Sequence, residues 1–374
     1  MPSHPLRVMH IVGARPNFIK VAPVIRAMSL HPASFQQVLV HTGQHYDYQM
    51  SALFFEELRI PQPDHNLGIG SGPHGAQTGR MLAETERVML AENPNWVLVY
   101  GDTNSALAGA LAASKLHIPV AHVEAGLRSF DRSMPEEINR IVTDQVSDLL
   151  FTPSQDGNDN LAQEGIPAEK VHLVGNVMID SLAMALTQEE RFAHPKAPGL
   201  GELLERLEGQ PYILATLHRP SNVDEPETLE GILSALVAVS GHNQVVFPVH
   251  PRTQQRMKAL GPAQWPEGFH LMEPLGYFDF LALMRKAAVV VTDSGGVQEE
   301  TTYLGIPCLT VRPNTERPIT VTHGTNRLVS SGGKALAAAI EEALETEPSR
   351  DRKEPPPFWD GHAAERIVKV MLAA

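Results

Sequence analysis

What most constrains this chain is a series of short apolar runs with no polar residue alternating through them. In the first half they read "LRVMHIVG", "QQVLVHTG", "WVLVYGD", "IPVAHVEAG", "DLLFTPS" and "VHLVGN". A strand with one wet face alternates apolar and polar residues, so these runs predict strands covered on both faces. Between them lie amphipathic stretches, Asn17 to Leu30, Thr78 to Glu92, Ser105 to Leu116 and Glu136 to Val146, spaced as helices. Strands alternating with helices imply right-handed crossovers and a parallel, doubly wound sheet. The rhythm restarts after residue 210 with "PYILATLH", "NQVVFPVH", "AAVVVTDSGG" and "IPCLTVRP". The expected fold class is therefore α/β, with two Rossmann-like parallel-sheet domains facing a cleft. At 374 residues the chain is also too long for one ordinary core. The expected division is 1–174, then 175–358 with a charged excursion from Thr187 to Gln210 at its start. A final helix within 359–374, His362 to Leu372, is expected to pack back on the first domain.

The formal charge of −13, from 30 basic and 43 acidic side chains, repels nucleic acid and anionic membranes. A phosphate-bearing ligand must then be held by a few local donors. One cysteine, Cys308 within "IPCLTV", excludes a disulfide framework and predicts a buried, inert thiol. No run approaches the roughly 20 apolar residues of a membrane span, and the start lacks the zones of a signal peptide, so a cytoplasmic location is expected. His41 and His45 flank a Thr-Gly pair that breaks helical spacing, and no metal site is assigned to them. "GSGPHG", Gly70 to Gly75, matches a dinucleotide-binding pattern literally, but no apolar strand leads into it; it reads as a loop.

In open α/β sheets ligands bind beyond the carboxyl ends of the strands. "GARPNFIK" places Arg15 and Lys20 at a helix start, where a shared anion would relieve their opposition to the helix dipole. "VYGDTNSA" ends a strand on Asp102, which capping alone would explain. "AHVEAGLRSFDRSMPEEINR" puts Glu124 at a strand end and Glu136 behind Pro135, suggesting an acid/base site. "TLHRPSNVD" sets His218 and Arg219 after the first strand of the second lobe, and "FPVHPRT" repeats the pair as His250 and Arg252 with no specified role. In "VVVTDSGGVQEETTYLG", Ser294, Gly295 and Gly296 let backbone approach a ligand, and a helix from Val297 to Leu304 offers free amides to an anion. Glu300, one turn in, is placed to accept both hydroxyls of a ribose. Glu316 and Arg317 lie beyond the next strand.

Taken together, "GARPNFIKVAPV", "TGQHYD", "GDTNS", "HVEAGLRS", "MPEEINR", "LFTPS", "GNVMIDSL", "LHRPSN", "FPVHPR", "TDSGGVQEE" and "TERPITV" resemble the non-hydrolysing UDP-N-acetylglucosamine 2-epimerases, which share the architecture of the GT-B glycosyltransferases. The phrases run from residue 13 to about 327 in the family's order. The resemblance implies interconversion of UDP-GlcNAc and UDP-ManNAc without a redox cofactor or metal. UDP is eliminated to leave 2-acetamidoglucal and then added back with the opposite configuration at C2. Matched by position, Asp102, Glu124 and Glu136 are the acid/base candidates. Arg15, His218 and the Ser294, Gly295, Gly296 turn match groups on the diphosphate, Glu300 a ribose ligand and Arg317 a cationic contact. Lys20, Arg128 and Arg140 would orient neighbouring groups, while Asp131 and Arg132 fall to a mobile, solvated loop and Glu137 has no role assigned. A homodimer and a supply of cell-surface polysaccharide precursors are also implied.

The chain departs from the commonest pattern at Asn17, where many members carry a carboxylate, and at Pro220 and Ser221, which replace an Arg-Glu pair. The missing arginine, and Asp47 after "GQH", put activation by a second UDP-GlcNAc in doubt and leave room for a modified sugar such as a 2,3-diacetamido uronate. The other readings are a hydrolysing 2-epimerase, a GT-B glycosyltransferase and a non-catalytic nucleotide-sugar sensor.

Overall fold

A computed structural model describes residues 5–44, 54–260, 265–345 and 354–374. The chain forms two compact units, residues 1–185 with 357–374, and residues 186–356. The division thus falls between Ala185 and Leu186, at the last residue of the helix Val177–Leu186 and not at Gly175, because that helix is buried with the first unit. The return to the first unit begins at Pro357, two residues earlier than expected.

Among its described residues the first unit holds seven strands: β1 Leu6–Val12, β2 Phe35–His41, β3 His65–Asn66, β4 Trp96–Tyr100, β5 Val120–Val123, β6 Leu149–Thr152 and β7 Val171–Leu173. They form one sheet in the order β3-β2-β1-β4-β5-β6-β7, every pairing parallel. Val38, Val40, Met9, Ile11, Val97, Val99 and Val120 point to one face and meet the helices His74–Glu92 and Asn104–Lys115. Their sequence neighbours Val8, Val12, Leu39 and Leu98 are equally buried on the other face, as the unbroken apolar runs require.

The second unit repeats the plan with β8 Tyr212–Thr216, β9 Gln244–Pro248, β10 Phe269–Met272, β11 Val289–Thr292, β12 Cys308–Val311 and β13 Asn326–Val329. The order is β10-β9-β8-β11-β12-β13, again parallel throughout. In each sheet the winding reverses once, between β1 and β4 and between β8 and β11. Those two switch points are where open α/β sheets leave a crevice at their carboxyl ends.

Two smaller readings change. The helix His74–Glu92 takes His74 and Gly75 into its first turn, so only Gly70 to Pro73 of "GSGPHG" is loop. The loop after β5 is less free than expected: Glu137 accepts the amides of Ser129 at 2.9 Å and Phe130 at 2.8 Å, and Asp131 accepts the Ser133 amide at 3.0 Å. The C-terminal helix, Ala363–Met371, lies against the helix Arg15–Ser29 within the first unit. No helix among the described residues is long and apolar enough to cross a membrane.

Candidate active site

At the switch point of the first unit, Asn17 ties two strand ends together. Its side-chain oxygen accepts the amides of Gly13 and Ala14, both at 3.1 Å, and its nitrogen donates to the Tyr100 carbonyl at 2.8 Å. An amide does this with one donor and one acceptor, a division of labour a carboxylate lacks. Past β4 the chain turns at Gly101, φ +63°, where a Cβ would come within 2.6 Å of Lys20 Nζ. That close approach admits the buried ion pair between Lys20 Nζ and Glu124 Oε1, 2.7 Å apart.

Asp102 follows Gly101, and the capping explanation does not hold for it. Thr103 is the residue that caps the helix Asn104–Lys115, its hydroxyl accepting from the Ala106 amide. Asp102 Oδ2 instead takes two bonds from Arg140, Nε at 3.2 Å and an Nη at 2.8 Å, and the carboxylate remains partly open to solvent. Asn139 holds the Asp102 carbonyl at 2.9 Å. Arg140's other Nη is given to buried Glu137, so Glu137, which had no role in sequence, is the acceptor that fixes both Arg140 and the loop after β5.

Glu124, Lys20, Asp102 and Arg140 therefore gather at the carboxyl ends of the adjacent strands β4 and β5. Glu136 stands apart from that network. It lies in the first turn of the helix Pro135–Val146, one turn before Arg140, half-buried and with no hydrogen bond or ion pair to a described residue. Arg15 opens the helix Arg15–Ser29 with its guanidinium 4.7 Å from the centre of the Phe54 ring.

The second switch point is organised by a carboxylate that sequence reasoning passed over. Asp293 is fully buried directly before Ser294 and accepts the amides of His218, at 3.1 Å to each oxygen, and of Arg219, at 3.0 Å. It also pairs with His218 Nδ1 at 3.1 Å and takes the Asn222 side chain at 3.0 Å. Burial alone would raise the Asp293 pKa, but these donors outweigh it and hold the carboxylate below its ordinary range. With Nδ1 committed, His218 keeps Nε2 for a ligand.

Ser294, Gly295 and Gly296 are half-buried at the start of the helix Gly295–Leu304, and the Ser294 side chain does not cap it. A Cβ on Gly295 would meet an Arg317 nitrogen at 2.5 Å, so only glycine lets that cation lie against the turn. Arg317 is buried, paired with Glu299 at 2.8 Å and with Glu316; Glu316 also pairs with Arg312 at 2.7 Å. Glu300 is buried in the same helix and pushed up to about 8, first by burial and then by Glu299's charge, against a bond from Tyr277. Neither Asp293 nor Tyr277 is marked by spacing, although Asp293 sits inside "TDSGG". Arg252 pairs with Asp224, and His250 accepts the Arg252 amide at 3.2 Å, which gives that second pair a structural task. Cys308 is buried, its thiol pushed up to about 12 by burial. Among the described residues no group of three or more His, Cys, Asp or Glu is placed to hold a metal ion. His45 and Asp47 lie outside the described residues.

The arrangement offers carboxylates backed by cations on one sheet, and a helix N-terminus with a carboxylate-oriented histidine on the other. The chain is similar to several known proteins. The family model described as UDP-N-acetylglucosamine 2-epimerase matches residues 28–372. The UDP-N-acetylglucosamine 2-epimerase of Methanocaldococcus jannaschii is 44% identical over 98% of this chain and 99% of its own. The UDP-2,3-diacetamido-2,3-dideoxy-D-glucuronate 2-epimerase of Pseudomonas aeruginosa is 45% identical over 98% and 99%. The crystal structure of the Methanocaldococcus enzyme in complex with UDP-GlcNAc and UDP superposes with a TM-score of 0.88 over 99% of this chain and 100% of that one. The Neisseria meningitidis UDP-GlcNAc 2-epimerase bound to UDP-GlcNAc, 31% identical, covers 99% and 100% and gives 0.87.

Proposed function

The chain belongs to the UDP-N-acetylglucosamine 2-epimerase family, and on that premise we propose that it interconverts UDP-GlcNAc and UDP-ManNAc reversibly, without hydrolysis. The C2 proton has no adjacent carbonyl to stabilise a carbanion, so its removal must accompany departure of UDP. A carboxylate base acts while donors take up the charge of the leaving diphosphate. Re-addition with the opposite configuration delivers a proton to the other face of C2, so a second acid/base group is required. Asp102, Glu124 and Glu136 share that proton handling. Arg15, His218 Nε2 and the amides at Ser294, Gly295 and Gly296 take the diphosphate, Glu300 takes the ribose hydroxyls and Arg317 supplies a nearby positive charge. Lys20 and Arg140 orient Glu124 and Asp102.

The observation that carries this reading is the pair of carboxylates at the ends of β4 and β5, each held by its own cation. A glycosyltransferase sharing the uridine site would need one base at most. The reading includes a cytoplasmic homodimer supplying polysaccharide precursors, and sedimentation of the purified protein checks the dimer. A second substrate, a UDP-2,3-diacetamido uronate, is favoured by the Pseudomonas relative, as similar to this chain as the archaeal one.

Incubation with each UDP-sugar in deuterated water, followed by NMR, tests both substrates. Deuterium at C2 with intact UDP-ManNAc is the expected result for UDP-GlcNAc. Free ManNAc with UDP identifies hydrolysis and overturns the reversible reading. UDP-GlcNAc returned without deuterium, beside exchange in the diacetamido uronate, moves the substrate to the latter.

A further inference from the structure

Beneath the Glu124 turn lies a buried polar chain that the proposed chemistry does not use. His122, on β5, is fully buried, as is Asp144 on the helix Pro135–Val146. His122 Nε2 faces the Gly101 carbonyl at 2.9 Å, and its Nδ1 faces Asp144 Oδ1 at 2.6 Å. Asp144 Oδ2 accepts the Gly126 amide at 3.1 Å and pairs with Arg128 at 2.7 Å. Arg128 continues the chain to Glu164 through two bonds of 2.7 Å.

A backbone carbonyl only accepts, so Nε2 must carry a hydrogen. An ionised carboxylate only accepts as well, so Nδ1 must carry another. The other oxygen of Asp144 already takes two donors, the Gly126 amide and the Arg128 guanidinium, which favour the ionised carboxylate and leave the shared hydrogen to the ring. Among the described residues the other fully buried histidine, His10, has different surroundings. Burial brings it down to about 4, and its partners, Tyr100 Oη at 2.7 Å and Gln37 Oε1 at 3.1 Å, satisfy a neutral ring with one hydrogen.

We propose that His122 donates from both ring nitrogens, as a buried imidazolium that positions the turns carrying Asp102 and Glu124. One end of the pair fixes Gly101, the residue before Asp102. The other fixes Gly126, two residues beyond Glu124. Glu124 itself lies between them at φ +74°. His122 touches no reacting atom; it is a positioning residue, and its catalytic consequence rests on the acid/base reading above.

Nitrogen-15 NMR of the histidine-labelled wild-type protein, at the pH of the epimerisation assay, reads the proton count directly. One solvent-shielded histidine with two slowly exchanging ring N–H protons is expected, alongside a second with one. If the solvent-shielded rings carry one proton each, the proposal is overturned. Asp144→Asn should remove one of His122's two ring protons, because an amide can donate to Nδ1. In that variant kcat should fall about 100-fold with KM little changed, since misplaced turns disturb geometry more than binding. A folded Asp144→Asn variant with wild-type kcat would refute the positioning role. Should the wild type fail to epimerise, the acid/base reading falls, while the proton count stays measurable.

Discussion

Glu124 occupies a left-handed backbone region, φ +74°, which costs a residue with a side chain about 1–3 kcal/mol. The Phe151 carbonyl accepts the amides of both Glu124 and Ala125 at 3.0 Å, and the Lys20 ion pair holds the side chain, so the surroundings over-determine the conformation. We expect Asp102→Asn, Glu124→Gln and Glu136→Gln each to lower kcat by about 10²–10⁴-fold while still folding. Wild-type turnover in all three would remove the assignment. Chemical denaturation should separate them: Glu124→Gln leaves Lys20 buried without its counter-ion and should lose about 3 kcal/mol, whereas half-exposed Glu136 should lose little. Glu300 makes a pH prediction. Its folded pKa, about 8, lies above the ordinary 4.5, so the native state binds its proton more tightly than the unfolded chain does. Stability from this group is then complete below 4.5 and is lost as pH rises towards 8. Glu300→Gln cannot ionise, so its stability relative to wild type should grow across that window in urea unfolding, and a pH-independent difference would contradict the assignment.

At the scale of elements, helix ends decide which polar residues remain available. Thr103 caps the helix Asn104–Lys115 and so leaves Asp102 for Arg140. Asp180, on the helix Val177–Leu186, accepts the amides of Ala363 at 3.0 Å and Ala364 at 2.7 Å, capping the C-terminal helix from a distant part of the chain. Removing such an acceptor typically costs about 1–2 kcal/mol. Asp180→Ala should therefore speed amide exchange in Ala363–Met371, and exchange as slow as in the wild type would show the cap to be dispensable. The interior strands and the edge strand β7 were legible as apolar runs, but β3, β10 and β13 were not. They lie at sheet edges, where one side lacks a covering neighbour, and polar residues such as His65, Asn66, His270 and Arg327 interrupt them.

For the whole molecule, each unit buries apolar clusters of its own among the described residues, so a ligand effect can be sought in each unit in turn. The second unit buries a cluster from Ile213 and Val245 to Val291 and Ile340, and the first unit one from Met9 and Val38 to Val99 and Val120. A ligand stabilises what it binds by mass action, about 2.7 kcal/mol at 100 times Kd. If the uridine diphosphate contacts lie chiefly in residues 186–356, calorimetry with UDP should raise the transition of that unit and move the other far less. An equal shift in both would relocate the binding energy.

The apolar periodicity by itself determined two parallel α/β units, because strands buried on both faces read as apolar runs, with a polar residue such as His10 or His122 admitted only where hydrogen-bond partners meet it. Motifs at the strand ends likewise brought Asp102, Glu124, His218 and the Ser294 turn into view. What only the tertiary structure decided is who partners whom. Glu137, Asp144 and Asp293 look like any other carboxylates in sequence. Glu137 supports Arg140 from one turn away on the same helix, while Asp144 and Asp293 became the supports of His122 and His218 because helix packing and the two switch points bring distant residues within hydrogen-bonding distance in a buried environment, where a polar group without a partner is costly. Glu136 shows the converse: its motif singled it out, while the fold left it beside Glu137 with no bond to any described residue.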